Sequence, residues 1–488
     1  MFLTHRRWRV AVVLAGLPAI TWCGRSTSGV DAAAAPPKGP GHVGQGHDWT
    51  RFGWDVGRSG ASTAPTGITA ANVTSMVRQQ VALDGTVDGS AIYLSGVQVN
   101  AVAHDVFFVT TGYGKTIAVD ANTGAILWTY TPPNYGSWVG SSEITNATPV
   151  ADPDRLFLYA ASPDGHIQKL AVADGHAVWS TPITLSPQLE KIASALNYFA
   201  GHVIAVTGGY IGDAPPYQGH VAILDAGSGQ LLHVWNSLCS NLPTLIQPTQ
   251  CPQVRSAIWG RAGAVIDSTT GDIYVATGNG LWDGKTNWGD ATIQLDSSAT
   301  RLLGNYTPTT SNTLAGADLD VGSTSPVLLG GGYLAQGGKD GTIRLLAASA
   351  IAGATPHVGG EAQVMSTPSG GMLFTAAAVL HTSSGTSLLA ADAGATAAWT
   401  LIGGHLSQAW RNINAGTSPV VAGGLLYVYD PAGALRVYQP ATGTLVASLP
   451  CGPGHWNSPI IADGRIALPE GDSRNHLTTG TLDIWRTQ

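Results

Sequence analysis

The chain has 488 residues, of which only 11% are charged, with 63 glycines, 28 prolines and 15 tryptophans against 4 methionines. This balance excludes a helical bundle, which would carry more Lys, Glu and Leu, and favours short strands joined by tight turns. The formal net charge of -7, with no Lys/Arg run beyond the N-terminal segment, excludes a nucleic-acid backbone as partner and reads as ordinary solubility.

At the N-terminus, Arg6, Arg7 and Arg9 precede an apolar stretch over 10–22 that is short for a bilayer span. A small-residue tract and two prolines follow. Residues 1–30 therefore read as a signal peptide, and export to the periplasm, cell surface or medium is expected. Arg6-Arg7 is a twin-arginine candidate in poorly matching surroundings. Cys23 is a weak lipid-anchor candidate, because bulky Trp22 precedes it where such sites want a small residue. Residues 31–47 are rich in Gly, Pro and His and read as a disordered linker, in which His42 and His47 offer adventitious metal binding.

Beyond the linker one unit recurs: an alternating apolar strand, a Gly turn, a second strand ending in Asp, and a last strand ending in Trp. The clearest copies are Asp120-Ala-Asn-Thr-Gly-Ala-Ile-Leu-Trp128, Ala173-Asp-Gly-His-Ala-Val-Trp179 and Asp225-Ala-Gly-Ser-Gly-Gln-Leu-Leu-His-Val-Trp235. Weaker copies end at Trp399 and follow Gln439, and Leu482-Asp-Ile-Trp485 is a truncated one. The Trp-to-Trp spacings of 51 and 56 are those of four-stranded propeller blades, which bury a shared core only when packed radially. The Trp residues then serve blade packing. Eight units are expected, over 90–130, 145–181, 192–236, 255–306, 321–350, 370–400, 416–449 and 456–486. The fold class is all-β, an eight-bladed β-propeller spanning 48–488. The segment 49–62 is expected to supply strands that close the ring. The stretch 306–320 is expected to cover one face of the disc, where function sits. Cys239 and Cys251 read as a disulfide in an oxidising compartment, which leaves Cys451 alone.

The opening Trp49-Thr-Arg-Phe-Gly-Trp-Asp-Val-Gly-Arg-Ser-Gly60 and the D-x-x-T-G-x-x-x-W repeats resemble the pyrroloquinoline-quinone (PQQ) dehydrogenase superfamily across essentially the whole chain after the linker. Non-enzymatic propellers share the repeats, among them an outer-membrane protein assembly lipoprotein. Ser256-Ala-Ile-Trp259-Gly resembles the segment whose Trp is the platform for the flat quinone. Ala276-Thr-Gly-Asn279-Gly resembles the segment whose Asn ligates calcium. Asp320, with Asp318 as its rival, falls where the family has its catalytic Asp, a general base or metal ligand. Lys339 falls at the family's cation beside the quinone oxygens. Each also has a plain structural reading: blade packing for Trp259, turn support for Asn279, solvated loop for the two Asp, and a hairpin turn for Lys339-Asp-Gly.

The chain departs from the family pattern at three places. It has no adjacent Cys pair, no Glu near 207–213, where Asp213 is the substitute metal ligand, and no Arg near Asn146. The resemblance implies a PQQ- and Ca²⁺-dependent dehydrogenase of an alcohol or sugar. No CxxCH occurs in the sequence, so no covalent c-type haem is expected and a separate electron acceptor is. Two other classes remain open. One is a non-catalytic propeller binding a protein or cell-surface polymer. The other is a glycan hydrolase or lyase using carboxylates such as Asp318 and Asp320. A closed ring with few free edges makes a monomer the default.

Overall fold

A computed structural model describes residues 47–210, 214–383 and 385–487. The expected signal peptide and linker up to residue 46, with Cys23 and His42, and Asp213 lie outside the described residues. Eight four-stranded antiparallel sheets form the blades of a β-propeller. Blades 1 to 7 cover 92–130, 150–182, 197–236, 265–306, 327–366, 378–412 and 420–450; blade 8 covers 460–486. The first strands of neighbouring blades touch one another, so they line the axis. The inner strands include fully buried runs such as Ile460–Ala462 and Val420–Ala422, whereas the outer strand Leu445–Pro450 buries alternate residues, Ala447 and Leu449.

The ring closes differently from the sequence expectation. The fourth strand of blade 8 is Val77–Leu83, paired antiparallel with Gly480–Arg486 from Val77↔Arg486 to Leu83↔Gly480. Segment 49–62 instead crosses the axis as a plug. It bonds to backbone on the inner strands of blades 1, 2, 4, 6 and 7, through Tyr93, Ala151, Ile266, Val379 and Val421. Arg51 reaches Tyr198 O of blade 3 at 2.7 Å, and the buried Arg58 donates to Phe52 O and Leu196 O. Arginine suits this place because its rigid fork satisfies several carbonyls that the plug would otherwise leave unpaired.

The repeat motif explains how blades dock. Trp128 Nε1 donates to Val172 O of the next blade at 2.9 Å, and Trp410 Nε1 to Pro440 O at 2.8 Å. The turn glycine of the following blade lies flat on the ring. A Cβ at Gly175 or Gly443 would come within 2.5 Å of Trp128 or Trp410, and both glycines have positive φ, 75° and 68°. The same contact joins Gly229 to Trp179. In blade 4 the left-handed residue is Ala299, packed in the cluster around Trp235.

The fifth and sixth expected units stop one strand short. Their outer strands are Gln363–Ser366 and His405–Asn412, after connections without the Asp-Gly signature. Trp399 accordingly sits on a third strand inside the core, and Trp410 takes the docking role. Cys239 and Cys251 form the expected disulfide, and Cys451 is free and half-buried.

Candidate active site

The segments leading into the innermost strands converge on the axis above the plug. Trp259, Phe374 and Trp456, all half-buried, form a floor with ring centroids 5.9 to 6.2 Å apart. Arg261 is 2% exposed and its guanidinium lies over Trp456 at 5.1 Å from the ring centroid. It donates to Ala193 O at 3.0 Å, Asp88 O at 2.9 Å and Asn146 O at 3.3 Å, tying the lead-ins of blades 1, 2 and 3 to its own. Desolvation lowers its pKa to about 10, partly offset by Asp88, so it remains a cation at neutral pH. Trp259 thus belongs to the axial floor rather than to a blade-docking contact.

Four of the residues singled out from sequence meet at one edge of this floor. The stretch 306–320 carries the short helix Ser311–Ala317, capped by left-handed Asp318, and delivers Asp320 just before the turn Val321–Ser323. Lys339 does sit on a hairpin turn, between Tyr333–Gly337 and Thr342–Ala347, yet its side chain points at the site. Its Nζ lies 2.7 Å from Asp318 Oδ1, 2.6 Å from Asp320 Oδ1 and 5.1 Å from the Trp259 ring centroid. Trp259 Nε1 donates to Asp320 Oδ2 at 2.9 Å, and Asn279 Nδ2 to Asp318 Oδ1 at 2.7 Å. Gly278 makes room, since a Cβ there would come within 2.7 Å of Asp320 Oδ2.

The electrostatics follow from burial against pairing. Desolvation raises the pKa of Asp320, which is 1% exposed, and Lys339 and Trp259 only partly offset it. Asp318 is more open; burial raises its pKa, but hydrogen bonds from Lys339 and Asn279 outweigh this and the net shift is down. Burial would lower Lys339, but the two carboxylates hold its pKa above the usual value. Behind them, desolvation and the Asp320 charge push Asp290 up to about 8.

A second edge was not singled out from sequence. Asp88, 1% exposed, accepts from Asn146 Nδ2 at 2.9 Å, Trp456 N at 3.0 Å and Ser473 N at 3.2 Å, and pairs with His455 Nδ1 at 2.8 Å. His455 stacks on Trp456, centroids 4.1 Å apart. Asp472 Oδ1 is 3.7 Å from His455 Nδ1, and Asp472 is held by Arg474 at 2.7 Å. Asp88, His455 and Asp472 bring one ligand atom each within 4.8 Å of one another, a grouping open in principle to a metal. Lys191 lies nearby, its strand residue paired with Gly208, and a Cβ on Gly208 would touch Trp259 Cβ at 3.3 Å. Desolvation lowers Lys191 to about 8; Asp88 and Asp472 oppose the shift, and Arg261 and Arg474 add to it. No Arg stands near Asn146 in sequence, but in space Arg261, from the lead-in of blade 4, reaches Asn146 O. No local motif carries that signal.

Among the described residues, a buried pair stands behind this edge. Glu190 Oε2 meets His220 Nε2 at 3.0 Å with both side chains fully buried. Asn236 donates its amide to Leu242 O and Thr244 O, so its oxygen faces His220 Nδ1. Both imidazole nitrogens therefore face acceptors, which makes the ring a cation. Burial would lower the His220 pKa, but Glu190 and these hydrogen bonds outweigh it and the net shift is up.

Residues 58–237 match the family model described as outer membrane protein assembly factor BamB, of the PQQ-repeat type. The chain is 28% identical over 203 residues to quinohemoprotein alcohol dehydrogenase ADH IIB of Pseudomonas putida, covering 38% of this chain and 28% of the relative. It is 24% identical over 259 residues to a polyvinylalcohol dehydrogenase of a Pseudomonas species, covering 50% and 38%. Among solved structures, quinohemoprotein alcohol dehydrogenase from Comamonas testosteroni superposes with a TM-score of 0.67 at 17% identity, covering 90% of this chain and 80% of that one. The chain is an eight-bladed β-propeller that resembles these quinoprotein dehydrogenases over part of its length. Its matches span about a third of the length of the curated relatives. The solved likeness extends the propeller fold over nearly the whole chain, whereas the family match stops at the end of blade 3. Among the described residues of this quinoprotein-like propeller, no helix is long and apolar enough to cross a membrane.

Proposed function

We propose that this propeller is an exported quinoprotein that oxidises alcohols, with PQQ lying on the Trp259–Phe374–Trp456 floor. The observation that carries this reading is a cluster of three aromatic rings, inclined to one another by 28° to 47°, with the cations Lys339 over Trp259 and Arg261 over Trp456, and Lys191 nearby. A flat polyanion is the ligand such a site fits. When bound, the quinone supplies a two-electron acceptor. Trp259 would hold its face and Lys339 its oxygens, and Asp320 fixes both side chains by accepting from the indole N–H and pairing the ammonium.

Calcium fits this chain less well. Asn279 Oδ1 is buried without a hydrogen-bond partner, as a metal ligand would be. However, the space between Asp318 and Asp320 already holds the Lys339 ammonium. A divalent ion would have to displace it at the cost of its ion pairs. We therefore assign the positive charge at this edge to Lys339.

The test is dye-linked oxidation by the purified chain reconstituted with PQQ, across short primary and secondary alcohols, sugars and polyvinyl alcohol oligomers. Turnover that requires PQQ supports the reading; absence of turnover across the panel sinks it. A second reading, a binding propeller for envelope proteins, is favoured by the match of 58–237 to the BamB family model. It predicts no quinone binding and retention of envelope proteins on the immobilised chain.

A further inference from the structure

The resemblance points to Asp320 as the base, but its geometry is that of a clamp. Its Oδ1 is paired with Lys339 and its Oδ2 accepts from Trp259, and its side chain is 2% exposed. A carboxylate with an ammonium at 2.6 Å is a weakened proton acceptor.

The opposite edge is built the other way. Asp88 is surrounded by N–H donors: Asn146 Nδ2, Trp456 N and Ser473 N. A carboxylate facing only N–H donors serves as an acceptor, so the proton shared with His455 is assigned to Nδ1. In the neutral ring that leaves the lone pair on Nε2, which takes no hydrogen bond from the described residues. The His455 side chain keeps 12% exposure. The ring is fixed on its face by Trp456, which belongs to the same floor as Trp259. A groove of about 460 Å³, lined by Pro453, Gly454, Glu470 and Asp472, runs beside the segment that carries His455. Charged groups around the ring are Asp88, Asp472 and Arg474, with Lys191 and Arg261 around Asp88. A metal at Asp88, His455 and Asp472 would have to strip Asp88 of its N–H donors and Asp472 of Arg474, so we read the trio as an oriented imidazole instead.

We infer that His455, oriented by Asp88, is the proton acceptor of the site and takes the hydroxyl proton of the alcohol on Nε2. This rests on the quinoprotein reading above. The balance is complete: the alcohol gives its O–H proton to His455 and a hydride from carbon to the quinone, and leaves as a carbonyl compound. The imidazolium then releases its proton to solvent. Asp88 is a positioning residue, holding the tautomer and favouring the imidazolium once it forms.

The experiment uses the full chain in two arms. In the first, without cofactor, diethyl pyrocarbonate labelling is read residue by residue by mass spectrometry. His455 is expected to be carbethoxylated and PQQ to protect it, while fully buried His220 stays unmodified. An unreactive His455 overturns the inference. In the second, PQQ-loaded His455→Gln is expected to keep quinone affinity within about threefold and to lose about 10²- to 10⁴-fold in kcat. His455→Ala is expected to be rescued by added imidazole, a response that a purely structural role would not give. Asp88→Asn is expected to change the pH–rate profile rather than quinone affinity. If His455→Gln turns over within about threefold of the parent while Asp320→Asn is dead, Asp320 is the base and this inference alone fails. If the parent chain binds no PQQ, the quinoprotein reading fails and the inference falls with it.

Discussion

The rim and the axis of this propeller are built by opposite rules. At the rim, a Trp from one blade meets a turn glycine of the next, and the contact recurs at three junctions, Trp128–Gly175, Trp179–Gly229 and Trp410–Gly443. Each instance is coded within a few residues and tolerates the Ala299 variant beside Trp235. At the axis nothing repeats. Trp259, Phe374 and Trp456 come from the lead-ins of three different blades, and Arg261 bonds to three more. Repetition makes the ring. The lead-in segments are free of that duty, and they carry the differentiated chemistry.

Substitutions that damage one region and spare the other test the division. The largest effect is expected at the buried Glu190–His220 pair. His220→Ala leaves a buried carboxylate unpaired and should cost about 3–5 kcal/mol in urea unfolding. The His220 pKa is raised on folding, from a reference of 6.5. Its contribution is therefore fully present below the unfolded value and is lost as pH rises through the folded one. Parent stability should fall as pH rises above the unfolded value of 6.5 and through the raised folded one, and the His220→Gln/Glu190→Gln double variant should flatten that fall.

Next comes the rim. Gly229→Ala places a Cβ 2.5 Å from Trp179 at a positive φ and should cost about 1–3 kcal/mol. Quinone affinity should not change, because the contact lies away from the axis. A matching loss of affinity would show that rim and axis are one cooperative unit. At the axis, Asp320→Asn removes the charge that holds Lys339 and should weaken PQQ binding about 10- to 100-fold. The smallest effect is expected from chelation. With the Lys339 ammonium between the two carboxylates, EDTA should leave PQQ affinity unchanged within about twofold, whereas a large loss would restore a metal to this edge.

The same division sets what could be read from sequence. The Asp-Gly-Trp signature gave the blades, their number and the structural role of Trp128, Trp179 and Trp235. It failed where the signature is missing, in the outer strands Gln363–Ser366 and His405–Asn412. Ring closure was misassigned because Val77–Leu83 carries no motif, while the aromatic segment 49–62 looked like strands and is a plug. At the axis, Trp259, Asn279, Asp318, Asp320 and Lys339 were found because each sits in a local pattern, and the fold brings them together. Asp88, Lys191, Arg261 and His455 were not found. Each is a single residue in an unremarkable segment, and only the closed ring makes them neighbours. Asp213 lies outside the described residues, so its place is still an expectation from sequence.

The central claim is that the axial floor holds a planar anionic quinone. The direct measurement is a titration of PQQ into the purified chain, without added metal, followed by quenching of tryptophan fluorescence in the parent and in Trp259→Ala. The account predicts saturable binding at micromolar concentration or tighter that the substitution abolishes. Binding that is absent from the parent, or unchanged when Trp259 is removed, would contradict it.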